Sequence, residues 1–412
     1  MDFNDTAEEA TFRTEAHTWL SANAEVLGPN EVGRNALSEM NLSDEDIAEA
    51  KAWQKTKADA GWACITWPKE YGGRGATPMQ NVIWKQEEAK FKTPPDIFTI
   101  GVGMCGPTVL THGTPEQQQK WIPKLLSGEE VWCQLFSEPS AGSDLAGLRT
   151  TAVADGEDWI VNGQKIWTSG AHLSDWGILV TRHDATAAKH AGLTYFVLDM
   201  HAPGVEIRPI TQINGGQGFC EVFFTDVRIP DAHRIDAIGN GWRVAITTLM
   251  NERASIGAAG GDKLIDDFVE FAQETPLNGG RAIDDAGVRQ RIAEFYARSK
   301  GVEYTGHRTL TALSRGGIPG PEASLGKLIG GALMQEMSRF AMDIQGQSGA
   351  MMESGADKFQ STYLGIPGLR IAGGTDEVLR NIISERVLGL PPETRLDKNV
   401  AFKDVPTGPP SK

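Results

Sequence analysis

A run of small and polar residues, Leu135–Gly147 (LFSEPSAGSDLAG), has a composition that suits the binding of a ligand. Short side chains let the backbone approach a ligand closely, and consecutive backbone N–H groups can form a nest that binds an anionic group. The same composition is also typical of an ordinary surface turn. The segment by itself therefore leaves both interpretations open.

Glu252 is a carboxylate whose spacing places it among apolar side chains. It follows Leu249 by three residues and precedes Ile256 by four, so the three share one face of a helix. An ionised carboxylate on an apolar face is costly unless it is paired, and such placement is typical of a general base. The alternative is a buried structural glutamate that a basic neighbour neutralises.

The elements that must position these residues belong to a chain of 412 residues, long enough for two or three domains. Its net charge of −15 argues against a protein that binds nucleic acid over a broad surface. The four cysteines are far apart, with no metal-like spacing, which favours buried free thiols and no metal site. The acidic N-terminus is not a signal peptide, and no apolar run is long enough for membrane insertion. We therefore expect a cytoplasmic protein.

The hydrophobic periodicity changes twice along the chain and predicts an α+β fold that is mostly α. We expect an N-terminal helical domain over residues 1–130, a middle antiparallel β domain over 131–240 and a C-terminal four-helix bundle over 241–395. The polar, proline-rich tail after Pro391, counted as a segment from residue 396, is expected to fray.

Local signals locate several elements within these domains. Thr114-Pro115-Glu116-Gln117 predicts a helix start with a capping box. Asn162-Gly163 predicts a type I′ hairpin turn between two strands. Long helices are predicted over residues 242–274, 286–313 and 322–352, with a shorter helix that starts at Thr375.

Together with Asn162–Ser169 (NGQKIWTS), the segment Leu135–Gly147 resembles the signatures of the acyl-CoA dehydrogenase family. Leu135 and Phe136 depart slightly, since they stand where the family usually has a smaller residue and an aliphatic one. The resemblance extends over nearly the whole chain and includes EYGGRGATP (Glu70–Pro78), GTPEQQQKWIPKLLSGE (Gly113–Glu129), FFTDVRIP (Phe223–Pro230) and GGTDEVLRNIISER (Gly373–Arg386).

The resemblance implies an FAD cofactor, held non-covalently between the β domain and the helical bundle. It implies that Trp167 lies against the flavin and that Ser169 donates towards flavin N5. A planar redox ring does need an aromatic wall and a few fixed donors, although a tryptophan in a hairpin core is the alternative. The cofactor-binding residues implied are Leu135, Phe136, Ser137, Trp167, Thr168, Ser169, Arg281, Thr375 and Glu377.

The resemblance also decides which carboxylate is the expected base. Many members carry it in a Tyr-Glu-Gly-Thr motif before the last helix, but this sequence has Ala372-Gly373-Gly374-Thr375 there. Members of the long-chain and isovaleryl types place the base on the first bundle helix, in a Glu-Arg pair that matches Glu252-Arg253. We therefore expect Glu252 to remove the α proton of an acyl-CoA substrate while the β hydrogen leaves as hydride. The substrate-binding residues implied are Ser143, Asn251, Arg253, Gly373 and Gly374.

Two departures bear on assembly. The family's RKTFG stretch has no clear counterpart in Gln273–Gly280, where Arg281 is the nearest basic residue, and Asp343 replaces the glutamine of its QxxGGxG motif. In the family both segments help to complete a partner subunit's FAD site. We expect self-association as a dimer or tetramer, with a hetero-oligomer with a paralogue as an alternative. The resemblance names an electron-transfer flavoprotein as the expected electron acceptor.

Three other functions remain open on these residues. The same fold can serve an oxidase that uses O₂, or a dehydrogenase for a steroid or branched acyl chain. It can also serve a non-catalytic relative of the family, which the predicted base Glu252 argues against.

Overall fold

The computed structural model describes residues 5–28, 42–256, 262–314, 320–352, 358–395, 397 and 399–405, and side chains over the same ranges except 253–256, 262–263 and 313–314. The described chain falls into two compact units. One contains the elements up to the first helix after the β-sheet, together with the C-terminal stretch from Thr394. The other contains the remaining helices. None of the described helices is long and apolar enough to cross a membrane.

The N-terminal part of the first unit is helical. Four of its helices begin with a capping box, in which a Thr or Ser side chain bonds the third helical N–H and the third side chain bonds back. The predicted start at Thr114 is one of them and is confirmed. The helices are α1 (Ala7–Asn23), α2 (Asp44–Asp59), α3 (Pro78–Glu88), α4 (Gly106–His112) and α5 (Pro115–Ser127).

A mixed eight-stranded sheet follows these helices. Its order is β6-β7-β3-β2-β4-β5-β8, with β1 paired to β4 off that path. All pairs are antiparallel except those that β4 makes with β1 and, at one position, with β2. The strands are β1 (Trp132–Leu135), β2 (Thr151–Asp155), β3 (Asp158–Ser169), β4 (Trp176–Arg182), β5 (Leu193–Asp199), β6 (Val205–Ile210), β7 (Phe219–Pro230) and β8 (Arg234–Ile235).

The predicted hairpin turn at Asn162-Gly163 is wrong. Both residues lie inside β3, and the turn instead falls between Asp155 and Asp158, which pair at the ends of β2 and β3. The side chain of Asn162 exchanges hydrogen bonds of 3.0 and 2.9 Å with Asp226 of β7. A Cβ at position 163 would lie 2.7 Å from the Cα of Thr150, so glycine is needed there for close backbone approach.

Helix α6 (Gly241–Ile256) follows the sheet. Its buried residues Val244 and Ala245 join a core that includes Leu193 and Tyr195 of β5. The sequence predicts one continuous helix over residues 242–274, whereas the structure describes α6 and then α7 (Asp262–Glu274). The residues between them, 257–261, lie outside the described chain.

The second unit is a helical bundle whose core is formed by α7 and the next three helices, with Phe268, Phe295 and Phe359 among its buried residues. The predicted long helix over 322–352 ends early, because Gly346 adopts a φ of 59° after Gln345. The sequence did not predict helix α10 (Lys358–Ile371), whereas α11 (Asp376–Arg386) begins after its N-cap Thr375 as expected. The further elements are β9 (Pro276–Leu277), β10 (Gly280–Arg281), α8 (Ala286–Ser314), α9 (Ser324–Gln345), α10 (Lys358–Ile371) and α11 (Asp376–Arg386).

The architecture confirms the predicted fold class of helical N-terminal part, β-sheet and C-terminal helical bundle. The expectation of a fraying tail is wrong for Ala401–Val405. There Phe402 N donates to Ala187 O at 2.9 Å, and the Phe402 side chain is buried. An aromatic side chain in an otherwise polar tail can dock because it buries apolar surface.

Candidate active site

Helix α6 is fixed to the rest of its unit by a buried threonine. Thr248 is fully buried, and its hydroxyl lies 3.0 Å from that of Thr108 in α4 and 2.9 Å from that of Tyr195 in β5. The two threonines also donate to carbonyls of their own helices, Met104 O and Val244 O. The buried Tyr195 hydroxyl is therefore the group that depends on Thr248 and on the register of α6 against β5. Thr248 lies one helical turn before Glu252.

A second set of polar contacts holds the N-terminal half of α6. His112 Nε2 lies 2.8 Å from Thr247 Oγ1, and its Nδ1 lies 3.4 Å from an Asp236 carboxylate oxygen. Asp236 also accepts hydrogen bonds from Arg243 and Asn240. Burial opposes ionisation of Asp236, but these donors outweigh it and lower its pKa to about 2.

Glu252 lies near the C-terminal end of β1. It is half-buried, and its Oε2 lies 3.5 Å from the Nε2 amide nitrogen of Gln134, a long hydrogen bond. Gln134 directly precedes the Leu135–Gly147 segment, so the structure brings the expected base and the expected ligand-binding segment to one place. Asn251 is also half-buried, whereas the side chain of Arg253 lies outside the described residues.

The residues that open this segment differ in exposure. Leu135 is fully buried in the sheet core, and Phe136 is buried with its ring edge-on to Tyr195 at 6.0 Å. Ser137 is half-buried, and its carbonyl accepts a hydrogen bond of 2.9 Å from Ile166 N. Ser143 is exposed. We therefore expect Leu135 to contact a ligand through its backbone and the two serines through backbone or hydroxyl.

A buried ion pair, which the sequence analysis did not predict, fixes the residues on either side of Ser137. Lys165 is fully buried and donates 2.8 Å to Glu138 and 3.0 Å to the carbonyl of Phe136. Glu138 also accepts from the backbone N–H groups of Arg149 and Thr150. Burial raises the pKa of Glu138, but Lys165 and these donors outweigh it and hold the pKa below its ordinary value. A lysine in the middle of a strand was the only sequence signal of this pair.

The segment Trp167–Ser169 combines an exposed aromatic ring with a buried hydroxyl group. Trp167 has a φ of 60°, and 55% of its surface is exposed, with the ring edge-on to Phe219. Backbone strain of this kind is found at ligand sites. The buried Thr168 hydroxyl has no hydrogen-bond partner among the described residues, and Ser169 is half-buried. An accessible aromatic face next to an unsatisfied buried hydroxyl therefore fits a planar, polar cofactor.

The second unit carries the other predicted residues. Gly373 and Gly374 have φ values of 64° and 94°, and Thr375 accepts a hydrogen bond from Val378 N as the N-cap of α11. The Gly374 carbonyl accepts a hydrogen bond from Lys327. Glu377 has 78% of its side chain exposed.

Arg281 lies on β10 of the same unit. Its exposed side chain pairs with Asp284 at 3.0 Å. The structure therefore gives Arg281 a local surface partner.

Sequence models of the acyl-CoA dehydrogenase N-terminal, middle and C-terminal domains match residues 8–129, 133–227 and 239–388. Over 395 residues, 93% of this chain and 98% of the relative, the chain is 37% identical to acyl-CoA dehydrogenase IpdE1 of Mycobacterium tuberculosis. The ChsE4–ChsE5 complex from the same organism contains a chain with a TM-score of 0.77 at 28% identity, covering 95% of this chain and all of that one. The "Tcur3481-Tcur3483 steroid ACAD" has a TM-score of 0.79 at 28% identity, with the same coverage.

The chain belongs to the acyl-CoA dehydrogenase family. It is an acyl-CoA dehydrogenase, an oxidoreductase of lipid metabolism, and its cofactor is FAD, as the sequence predicted.

Proposed function

We propose that this protein introduces a double bond between the α and β carbons of an acyl-CoA thioester, with Glu252 as the base. FAD, when bound, supplies the hydride acceptor. The observation that carries the proposal is the position of Glu252 on α6, one turn after the buried Thr248 and 3.5 Å from Gln134 at the edge of the Leu135–Gly147 segment. A base must be held in one place to remove a weakly acidic C–H proton.

The amide of Gln134 has a part in this proposal. An amide N–H near a carboxylate oxygen orients that carboxylate. Glu252 is half-buried, so solvent does not fully screen that interaction. We therefore assign to Gln134 the orientation of the base and to Glu252 the removal of the α proton.

The thioester oxygen gains negative charge when the α proton leaves, and preorganised donors lower the energy of that state. We propose the backbone N–H of Gly373 as one of them, with Gly374 beside it. Both glycines have positive φ values, a backbone conformation that other residues rarely adopt. Glycine also leaves position 373 without the carboxylate that many family members carry there, which leaves the role of base to Glu252.

For the cofactor we propose contacts with Trp167, Thr168 and Ser169 on one strand, with Ser137 and the backbone of Leu135 and Phe136, and with Thr375 and Glu377 near the last helix. The unsatisfied Thr168 hydroxyl and the exposed Trp167 ring support the first group. For the substrate we propose Ser143, Asn251 and Arg253. Arg281, paired with Asp284 on the surface, is the weakest member of the cofactor set.

As substrate class we propose a bulky acyl-CoA of the steroid or branched type. The support comes from similar proteins, since one solved relative is a steroid ACAD. That relative and the ChsE4–ChsE5 complex each pair two different chains. This favours a hetero-oligomer with a paralogue as the alternative to a homo-dimer or homo-tetramer. We propose an electron-transfer flavoprotein as the acceptor and, from four buried free cysteines, a cytoplasmic location.

The decisive experiment is Glu252→Gln in the purified FAD-containing protein, with a panel of steroid, branched and straight-chain acyl-CoA substrates. An amide keeps the shape of the side chain but does not accept the proton, so flavin bleaching in stopped-flow should slow by about 10²–10⁴-fold. FAD content and acyl-CoA binding should change little. Glu49→Gln, on the exposed face of α2, is the matched control. Unchanged bleaching in Glu252→Gln would exclude Glu252 as the base.

The same assay separates the open alternatives. If no acyl-CoA bleaches the flavin of the wild-type protein, the result would favour the interpretation as a non-catalytic relative of the family. Reoxidation of the reduced protein by O₂ at the rate of turnover would favour an oxidase over a dehydrogenase that reduces an electron-transfer flavoprotein.

A further inference from the structure

The described end of the chain docks against the β-sheet unit. We define Asp397 and Ala401–Val405 as the C-terminal strap. Phe402 N and Lys403 N each donate a 2.9 Å hydrogen bond to the connection between β4 and β5, at Ala187 O and Ala185 O. Ala401 also forms a β-bridge with Ala188. The strap is thus tied by its backbone to the loop that follows Arg182.

The ring of Phe402 covers a buried cation. Arg182 is 3% exposed, and its guanidinium carbon lies 3.4 Å from the centroid of the Phe402 ring. The guanidinium donates to the carbonyls of Ala146 at 2.6 Å and Leu148 at 3.1 Å. Burial lowers the pKa of Arg182 to about 10. An aromatic face over a desolvated cation is a strong contact. The strap therefore stabilises the Arg182 side chain, which donates hydrogen bonds to the carbonyls of Ala146 and Leu148.

A second cation connects the strap to the same loop. Lys189 has only 5% of its side chain exposed, and it donates 2.7 Å to Asp144 and also pairs with Asp397 of the strap. Asp144 directly follows Ser143. Two buried cations therefore each contact the strap on one side and the Ser143-bearing loop, residues 141–148, on the other.

We propose that the C-terminal strap is a positioning element for substrate binding, which holds the loop 141–148 through Arg182 and Lys189 so that Ser143 meets the acyl-CoA. The inference rests on the substrate-binding role proposed for Ser143. Phe402 and Asp397 are positioning residues, since they act through the two cations. Loss of the strap should therefore weaken substrate binding more than it slows the chemical step.

The test compares Phe402→Ala with Phe402→Tyr, which keeps an aromatic face, in the FAD-containing protein. Lys403→Ala, at an exposed neighbouring position, is the matched control. We expect Phe402→Ala to raise KM for the best acyl-CoA of the panel by about tenfold, the scale expected for one desolvated cation–π contact. The kcat value should stay within about twofold, and Phe402→Tyr and Lys403→Ala should resemble wild type.

Hydrogen exchange gives a readout besides activity. The amides of Gly147 and Leu148 bond within the loop, to Asp144 and Leu145 carbonyls. They should exchange faster in Phe402→Ala and not in Lys403→Ala. Unchanged KM together with unchanged exchange would overturn the proposal, as would a fall in kcat with loss of FAD at constant KM.

Asp397→Asn provides a second variant in case Phe402→Ala does not fold. It weakens the pairing with Lys189 without creating a cavity, and Asp404→Asn on the exposed side of the strap is its control. A higher KM in Asp397→Asn but not in Asp404→Asn supports the proposed role of the strap. Equal KM values in the two variants contradict that role. If wild type itself oxidises no acyl-CoA, the proposed function fails; the exchange data then still decide whether the strap orders the loop.

Discussion

The hydroxyl groups of Thr108 and Thr248 lie 3.0 Å apart in the core, although 140 residues separate them in the sequence. Together with Tyr195, they join a helix of the N-terminal part, a strand of the sheet and the helix that carries Glu252. The two threonines also bond carbonyls of their own helices, so a shift of α6 along its axis would deprive the buried Tyr195 hydroxyl of its partner Thr248.

Thr248→Val should lower the free energy of unfolding by about 1–3 kcal/mol, because it keeps the side-chain shape but leaves the buried Tyr195 hydroxyl without its partner. It should also slow flavin bleaching, since α6 then holds Glu252 less firmly. Urea unfolding and stopped-flow measure the two effects. Thr56→Val, at an exposed position of α2, is the control. Equal stability of Thr248→Val and wild type would show that α6 is anchored by other contacts.

The lowered pKa of Asp236 predicts that the stability of the fold depends on pH. Its pKa is lowered from 3.8 to about 2 in the folded protein, so its ionised form stabilises the fold above pH 4. That contribution, about 2–3 kcal/mol, should disappear as the pH falls from 4 to 2. Asp236→Asn should lower stability at pH 7 by this amount and lose less stability over the acid range. Urea unfolding at several pH values tests this, with Asp59→Asn on the surface of α2 as control.

Trp167→Ala should weaken FAD binding by about fivefold, since one aromatic contact contributes about 1 kcal/mol. The stability of the apoprotein should stay within about 0.5 kcal/mol of wild type, because the ring is 55% exposed. Fluorescence titration with FAD and urea unfolding of the apoprotein give the two values. Ile213→Ala, an 81% exposed apolar position in the same unit, should change neither. An effect on stability alone would assign Trp167 to the fold.

The chain expressed alone should be at least a dimer and at most a tetramer by light scattering. Several apolar side chains near the end of the second unit are largely exposed in the single chain, among them Ile371 and Leu388, each at 66%. Leu388→Lys should shift the assembly to smaller species, because burial of a charge opposes association, whereas Ile213→Lys serves as the surface control.

Two results would revise the assembly prediction. A stable monomer with one tightly bound FAD would contradict it. FAD occupancy that appears only on co-expression with a paralogue would instead favour the hetero-oligomer that Asp343 and the missing RKTFG stretch suggest.

The sequence alone was sufficient to predict the family, the cofactor and the succession of helical, β and helical regions. These follow from local signals, such as the capping box at Thr114 and the motifs around Ser137 and Trp167, whose physical effect depends on residues close in the chain. The absence of a carboxylate at Gly373 and the helical spacing of Glu252 likewise needed no tertiary structure to identify the expected base.

Tertiary structure decided what depends on residues far apart in the chain. Asn162-Gly163 has the composition of a turn, but pairing with β7 and the approach of Thr150 make it the interior of a strand. The pairing of Lys165 with Glu138 and the docking of Phe402 on Arg182 join segments that no periodicity relates. Such contacts form because a buried charge or ring must find a partner wherever the fold brings one, and that partner is set by packing rather than by spacing.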